Sequence, residues 1–138
     1  YALMNFDFAR AATSGSEPNL RVLENKGFAG FKIPVSALTT VSSWFFSDGD
    51  RDAANDWTGE TNSSSESGSQ VAQFVPTTGA SLDWGSLYSF SFVANARPIT
   101  STAYLPVART GTPAYYQITT LGPDPLADIA LFHDGFED

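Results

Sequence analysis

The sequence predicts an all-β fold, an antiparallel β-sandwich of about seven to nine short strands, immunoglobulin-like or jelly-roll-like, with minimal helix. Three observations lead there. Leu82, Trp84, Tyr88, Phe90 and Phe92 recur on one parity, which is the two-residue period of a strand. Turn-forming clusters such as Ser14-Gly15-Ser16-Glu17-Pro18, Pro76-Thr77-Thr78-Gly79 and Arg109-Thr110-Gly111-Thr112-Pro113 separate short apolar stretches. No segment carries a helical period, and none repeats at solenoid spacing.

Residues 1–8 alternate, with Ala2, Met4, Phe6 and Phe8 on one parity and Asn5 and Asp7 on the other, and read as a strand. Residues 10–18 are small and polar and read as a turn region, 20–23 as a short second strand, and Asn25-Lys26-Gly27 as a tight reversal. In 28–35, Phe31, Ile33 and Val35 share a face, and Pro34 suggests an edge or a bulge because proline donates nothing to a ladder. Residues 41–46 bring Trp44, Phe45 and Phe46 into a further strand.

From 47 to 69 the chain is acidic, then serine-rich, with Trp57 as its large apolar anchor. That is too long for an ordinary hairpin loop and reads as a functional or mobile excursion. Strand character resumes over 70–75. It continues in 82–92, where Asp83, Gly85, Ser89 and Ser91 form the second face, with Leu87 as the large exception. Leu87 and Val93 put apolar surface on that second face too, which marks a central strand. After a turn over 94–98, residues 101–107 and 115–120 supply two more strands. Gly122-Pro123-Asp124-Pro125 then reads as a hinge before an apolar stretch over 128–132. The expected division is a β-sandwich over 1–121 and a hinge with a terminal strand over 122–138, docked on its own sheet or on a neighbouring subunit.

The 138 residues are 42% hydrophobic and 14% aromatic, ample for a core. Charged residues make up only 16%, so hydroxyls and amides must supply much of the polar surface, a common composition for secreted β-proteins. The net charge of -8 has the wrong sign for nucleic acid. The absence of cysteine excludes disulfides, thiolate metal sites and cysteine catalysis. No apolar run approaches the ~18–20 residues of a helical membrane span. Residue 1 already lies in a strand-like pattern, so a processed product or a fragment of a longer protein is expected.

The segment Asp48-Gly49-Asp50-Arg51-Asp52-Ala53-Ala54-Asn55-Asp56 is the leading candidate for a cation site. Calcium takes about six to eight oxygens, and alternating aspartates in a loop can converge several on one ion. Asp48, Asp50, Asp52, Asn55 and Asp56 are the candidate calcium ligands. The match to a helix-loop-helix calcium loop is incomplete: Ala53 stands where that loop has Gly, Gly59 where it has Glu, and Arg51 adds a positive charge. The plain reading is a solvated acidic loop. Trp57, inside the polar excursion, is either a loop anchor or a platform for a sugar ring, whereas Trp84 falls on the packed parity and reads as core. His133 has no Gly-x-Ser-x-Gly elbow to serve, no carboxylate pair stands out, and no catalytic residue is assigned, so the chain is expected not to be an enzyme. Asn62-Ser63-Ser64 matches a glycosylation acceptor in a stretch whose composition reads first as exposed loop.

The C-terminal run Asp128-Ile129-Ala130-Leu131-Phe132-His133-Asp134-Gly135-Phe136-Glu137 resembles an I-F-x-D-G-F-E ending found on secreted proteins of gammaproteobacteria, particularly relatives of xanthomonads, with Leu131-Phe132 where Ile-Phe is usual. The stretch from Leu82 through Trp84-Gly85-Ser86-Leu87-Tyr88 to Phe92, followed by Asn95 and Pro98, is similar to the W-G-T-L-Y-N-F-x-F strand of uncharacterised bacterial extracellular β-sandwich domains. The resemblance implies export and a sandwich, and it implies no catalytic residue.

The functional expectation is an extracellular or cell-surface structural or adhesive domain that self-assembles as a filament or surface-layer subunit, or joins another extracellular protein. Terminal strands lie at both ends of the chain, and an unpaired strand can complete its own sheet or a neighbour's. The assembly candidates are Tyr1, Leu3, Met4, Phe6 and Phe8 at one end and Ile129, Leu131 and Phe132 at the other. The alternative is a calcium-assisted carbohydrate-binding module that uses Trp57 and the acidic loop to hold a polysaccharide.

Overall fold

A computed structural model describes residues 1–64 and 70–125. The apolar stretch at 128–132, with Ile129, Leu131 and Phe132, lies outside the described residues, as do His133 and most of the serine run. The described residues form ten strands and no helix, and every strand pairing is antiparallel. In chain order the strands are β1 (Ala2–Met4), β2 (Arg10–Ser14), β3 (Arg21–Lys26), β4 (Phe31–Val35), β5 (Val41–Ser47), β6 (Trp57–Ser63), β7 (Gln70–Pro76), β8 (Leu87–Ala94), β9 (Pro98–Pro106) and β10 (Tyr115–Pro123).

Two sheets pack face to face as a sandwich rather than a closed barrel. One has the order β1-β8-β5 and the other β10-β9-β4-β7-β6, while β2 and β3 form a separate two-stranded ribbon. Phe90 on β8 joins the layers. It is 1% exposed, and its ring lies 5.0–5.7 Å from those of Phe31 on β4, Phe74 on β7, Trp57 on β6 and Phe46 on β5. Burying one such aromatic contributes roughly 1.5–3 kcal/mol, and ring pairs at these spacings add to it. Trp44 crosses from β5 to meet Phe74 edge-on at 5.4 Å. Ile33, Leu82, Ala103 and Leu105 fill the space between the rings.

The floor of the sandwich is built around Phe28, which bridges Leu82 on one side and Val107 on the other. Asn5 anchors β1 to it. Its Nδ2 donates to the Leu82 carbonyl at 2.9 Å, and its Oδ1 accepts from the Phe8 N–H at 3.2 Å. This buried side chain stands on the face expected to be wet. The bonds set the register of β1 so that Leu3 packs against the core, while Met4 and Phe6 stay exposed.

Other expectations are corrected in the same way. Trp84 was expected in the core but is 56% exposed, because the chain turns at residues 83–86 before β8 begins and the parity of 82–92 is broken there. Gly85 sits at φ +85° in that turn, and Trp84 Nε1 donates to the Phe6 carbonyl at 2.7 Å. Only Tyr88, Phe90 and Phe92 continue the inward stripe. Residues 10–14, expected as turn, form β2, and Asn25 and Lys26, expected as a reversal, continue β3. The excursion over 47–69 contains β6. Pro34 lies in an interior strand, not an edge; β4 pairs with β9 only at Lys32 and Tyr104, so Pro34 falls past the end of that pairing. Gly122 and Pro123 end β10, which places the break two residues later than the sequence suggests.

Candidate interaction surface

The sandwich has two different lateral sides. On one, β5 and β6 close the gap between the sheets. Trp44 lies directly over Gly59 of β6, where a Cβ would run into the indole ring, so the absence of a side chain at Gly59 is what admits it. On the other side stand β1 and β10, the first and last described strands, each at the edge of its own sheet. They are tied at one end by Tyr1 Oη, which donates to the Leu121 carbonyl at 2.9 Å. Toward the other end a groove of about 330 Å³ opens between them, lined by Leu3, Phe6, Phe8, Phe28, Tyr116 and Ile118.

The sequence places Tyr1, Leu3, Met4, Phe6 and Phe8 together as assembly candidates, and the structure brings all of them to this side. Leu3 and Phe8 face inward, and Phe8 stacks on Phe28 at 5.0 Å. Tyr1 is half-exposed, its ring against Phe31 and Phe92, and burial raises its phenol above the usual tyrosine range. Met4 and Phe6 are 51% and 58% exposed. Ile129, Leu131 and Phe132 lie outside the described residues.

The four edge strands are guarded to different degrees. β1 has three residues. β5 is bulged: Ser43 and Trp44 together oppose Phe92, and Ser43 takes φ +53°, an uncommon conformation for a residue with a side chain. β6 presents Glu60 and Asn62 to solvent. Short length, bulges and charges are recognised ways of preventing edge-to-edge pairing. β10 is neither short, bulged nor charged, and its protection is limited to Pro123 and the Tyr1 hydroxyl on the Leu121 carbonyl. It holds an unbroken nine-residue register with β9, from Tyr115 opposite Pro106 to Pro123 opposite Pro98, and carries no charged residue. Its far end is clamped, since Arg97 Nε donates to Asp124 Oδ2 and the Asp124 N–H to the Arg97 carbonyl, both at 2.9 Å.

The outer face of the β1-β8-β5 sheet is the second unusual surface. None of its three strands contains a charged residue, in a chain of net charge -8. Met4, Phe45, Leu87 and Val93 are each more than half exposed on it.

In the acidic loop between β5 and β6 the aspartates turn back on their own backbone. Asp48 Oδ1 accepts from the Asp50 N–H, Asp50 Oδ1 from the Asp52 N–H and Asp52 Oδ1 from the Ala54 N–H, three successive side-chain turns at 3.1, 2.6 and 3.1 Å. Asn55 Nδ2 donates to Asp50 Oδ2 at 3.2 Å, and the Asp56 carbonyl accepts from Thr77 Oγ1 at 2.9 Å. Among the described residues no group of three or more acidic, His or Cys side chains is arranged to hold a metal ion. Asp48, Asp50 and Asn55 instead border an open, polar cleft of about 510 Å³ with residues 85–89. Tyr88 stands in its wall. Burial first, and the nearby charges of Asp48, Asp83 and Asp50 second, raise its phenol above the usual range.

Trp57 is not available as a sugar platform. It is 3% exposed, parallel to Phe46 at 6.0 Å and edge-on to Tyr88 at 5.5 Å. It starts a strand whose inward position must meet the core. Trp84, held to the Phe6 carbonyl, is the exposed indole that parity did not reveal; the Asp83-Trp84-Gly85 turn was the available signal.

No family model matches the chain, and no curated protein or solved structure matches it. Among the described residues no helix is long and apolar enough to cross a membrane.

Proposed function

We propose that this chain is an extracellular structural or adhesive subunit that self-associates through its terminal strands. The observation that carries the reading is the placement of β1 and β10 at the edges of the two sheets on one open side, with an apolar groove between them. An exposed edge offers unpaired N–H and C=O groups, and a groove beside it takes alternate side chains, which is the chemistry of strand addition. The uncharged outer face with Met4, Phe45, Leu87 and Val93 supports the adhesive part of the reading, because apolar patches free of charge mark surfaces that become covered. The similarity of the Leu82–Phe92 stretch to extracellular sandwich domains supports export.

Electron microscopy of the native protein tests this. Filaments or regular oligomers are the expected images; isolated particles at every concentration contradict the proposal.

A second reading, a carbohydrate-binding module, draws its support from Trp84 rather than Trp57. An exposed indole, next in sequence to Gly85 of the cleft edged by Asp48, Asp50 and Asn55, is the surface aromatic a sugar ring can stack on. Calorimetric binding to a polysaccharide that disappears in Trp84→Ala supports it, and equal behaviour with and without calcium removes the metal from it.

A further inference from the structure

Resting on the self-association reading, we infer that the contact is a twofold pairing of β10 with the β10 of a second copy, joining two five-stranded sheets into one of ten strands. Three observations on the strand itself lead there. Among the described edges β10 is the least guarded: nine residues, regular register, no bulge and no charge, with Tyr1 on the Leu121 carbonyl and Pro123 confined to its last residues. In a chain of net charge -8 a second copy is repelled from most directions, and this strand itself adds no like charge to the approach, Asp7 in the groove beside it being the carboxylate on that side. Finally, the strand is compatible with its own reversed image. About a twofold axis at Thr119, Thr119 faces the partner's Thr119 and Ile118 faces the partner's Thr120.

Parity is preserved by that operation. Ile118, Thr120 and Gly122 occupy the inner face of their sheet, and each meets an inner-face residue of the partner, so the two cores become continuous instead of opposed. The outer face brings Thr119 against Thr119 and Gln117 against Leu121, pairs of the threonine and amide-apolar type found across sheets. A twofold contact of identical patches is the commonest form of association between identical chains. Main-chain pairing along one strand is a small interface by itself. The exposed Met4 and Phe6, which line the groove beside β10, supply apolar area next to it.

The cysteine-free sequence makes the test direct. Residues opposed in antiparallel strands have Cα atoms about 4.5–5.5 Å apart, inside the range a disulfide spans. The full-length Thr119→Cys protein is oxidised beside a control, Thr61→Cys, on the outward edge of β6; both positions are exposed, so the fold tolerates either. Covalent dimer is expected from Thr119→Cys and not from the control. In parallel, Thr119→Lys puts two ammonium groups at the axis and is expected to weaken dimerisation by about tenfold or more, with a thermal unfolding profile unchanged at dilutions where both proteins are monomeric. If the protein self-associates but Thr119→Cys does not cross-link ahead of the control, the twofold edge contact is overturned and the wider reading survives. If the chain is monomeric and neither variant cross-links, both are overturned, and residues 126–138 of the same chain are then the occupant of β10 to seek.

Discussion

Phe90 is the residue on which the two layers depend. Its ring meets aromatic partners from β4, β5, β6 and β7, so truncation opens a cavity at the junction of both sheets. Phe90→Ala is expected to lower stability by about 3–5 kcal/mol, measured by urea denaturation. Tyr88 reports on the acidic cleft. Its phenol is raised by burial and by Asp48, Asp83 and Asp50, so replacing Asp48 and Asp50 by Asn moves it back toward the usual value, as ultraviolet titration will show. The sign for stability follows. A tyrosine whose folded value lies above its unfolded one holds its proton longer in the folded state, so stability is intact below about pH 10 and falls as pH rises through the raised value. An increase in stability over that window contradicts the assignment. Single residues also explain where sequence reading fails. Alternation placed Met4 inward and Asn5 outward, but two hydrogen bonds from Asn5 reverse that choice, and hydrogen-bond partners distant in sequence leave no trace in a hydropathy pattern.

At the level of strands, what was legible depended on how many side chains point inward. β4 and β8 carry inward stripes and were found from alternation, whereas β7, buried at four successive positions, was read only as a resumption of strand character. β6 was read as loop because its inward positions include Trp57 and Gly59, and a glycine gives no apolar signal. The missing volume comes from Trp44 on the facing strand, delivered by the bulge at Ser43 and Trp44. Gly59→Ala is therefore expected to cost about 1–3 kcal/mol by overpacking, although alanine is no worse than glycine as a strand former; a neutral result in thermal denaturation contradicts the Trp44–Gly59 contact. β2 and β3 were misplaced for a related reason. Their ribbon packs little apolar surface, leaving Leu20, Val22 and Leu23 exposed, so the usual pattern is absent. Arg10 fixes the ribbon at its base instead, donating from Nη1 to the Arg109 carbonyl at 2.7 Å and from Nη2 to the Pro113 carbonyl at 2.8 Å.

At the level of the whole molecule, charge and edges are distributed together. The acidic loop lies on the side closed by β5 and β6, while the strands of the small sheet and β10 carry no charged residue and Asp7 is the carboxylate that lines the groove on the open side. The asymmetry fits a body that approaches its neighbours in a restricted set of directions. The all-β class and the central place of β8 were legible in the sequence; the pairing of β1 with β8 and the neighbourhood of β1 and β10 were not, because they join opposite ends of the chain. Backbone amide hydrogen exchange, followed strand by strand in dilute and concentrated full-length protein, tests the central claim most directly. Protection is expected to rise with concentration along β10 and at Tyr1 to Met4, and to stay constant along β5 and β6. Protection that is independent of concentration on every edge, or that rises on β5 and β6 instead, contradicts assembly through the terminal strands.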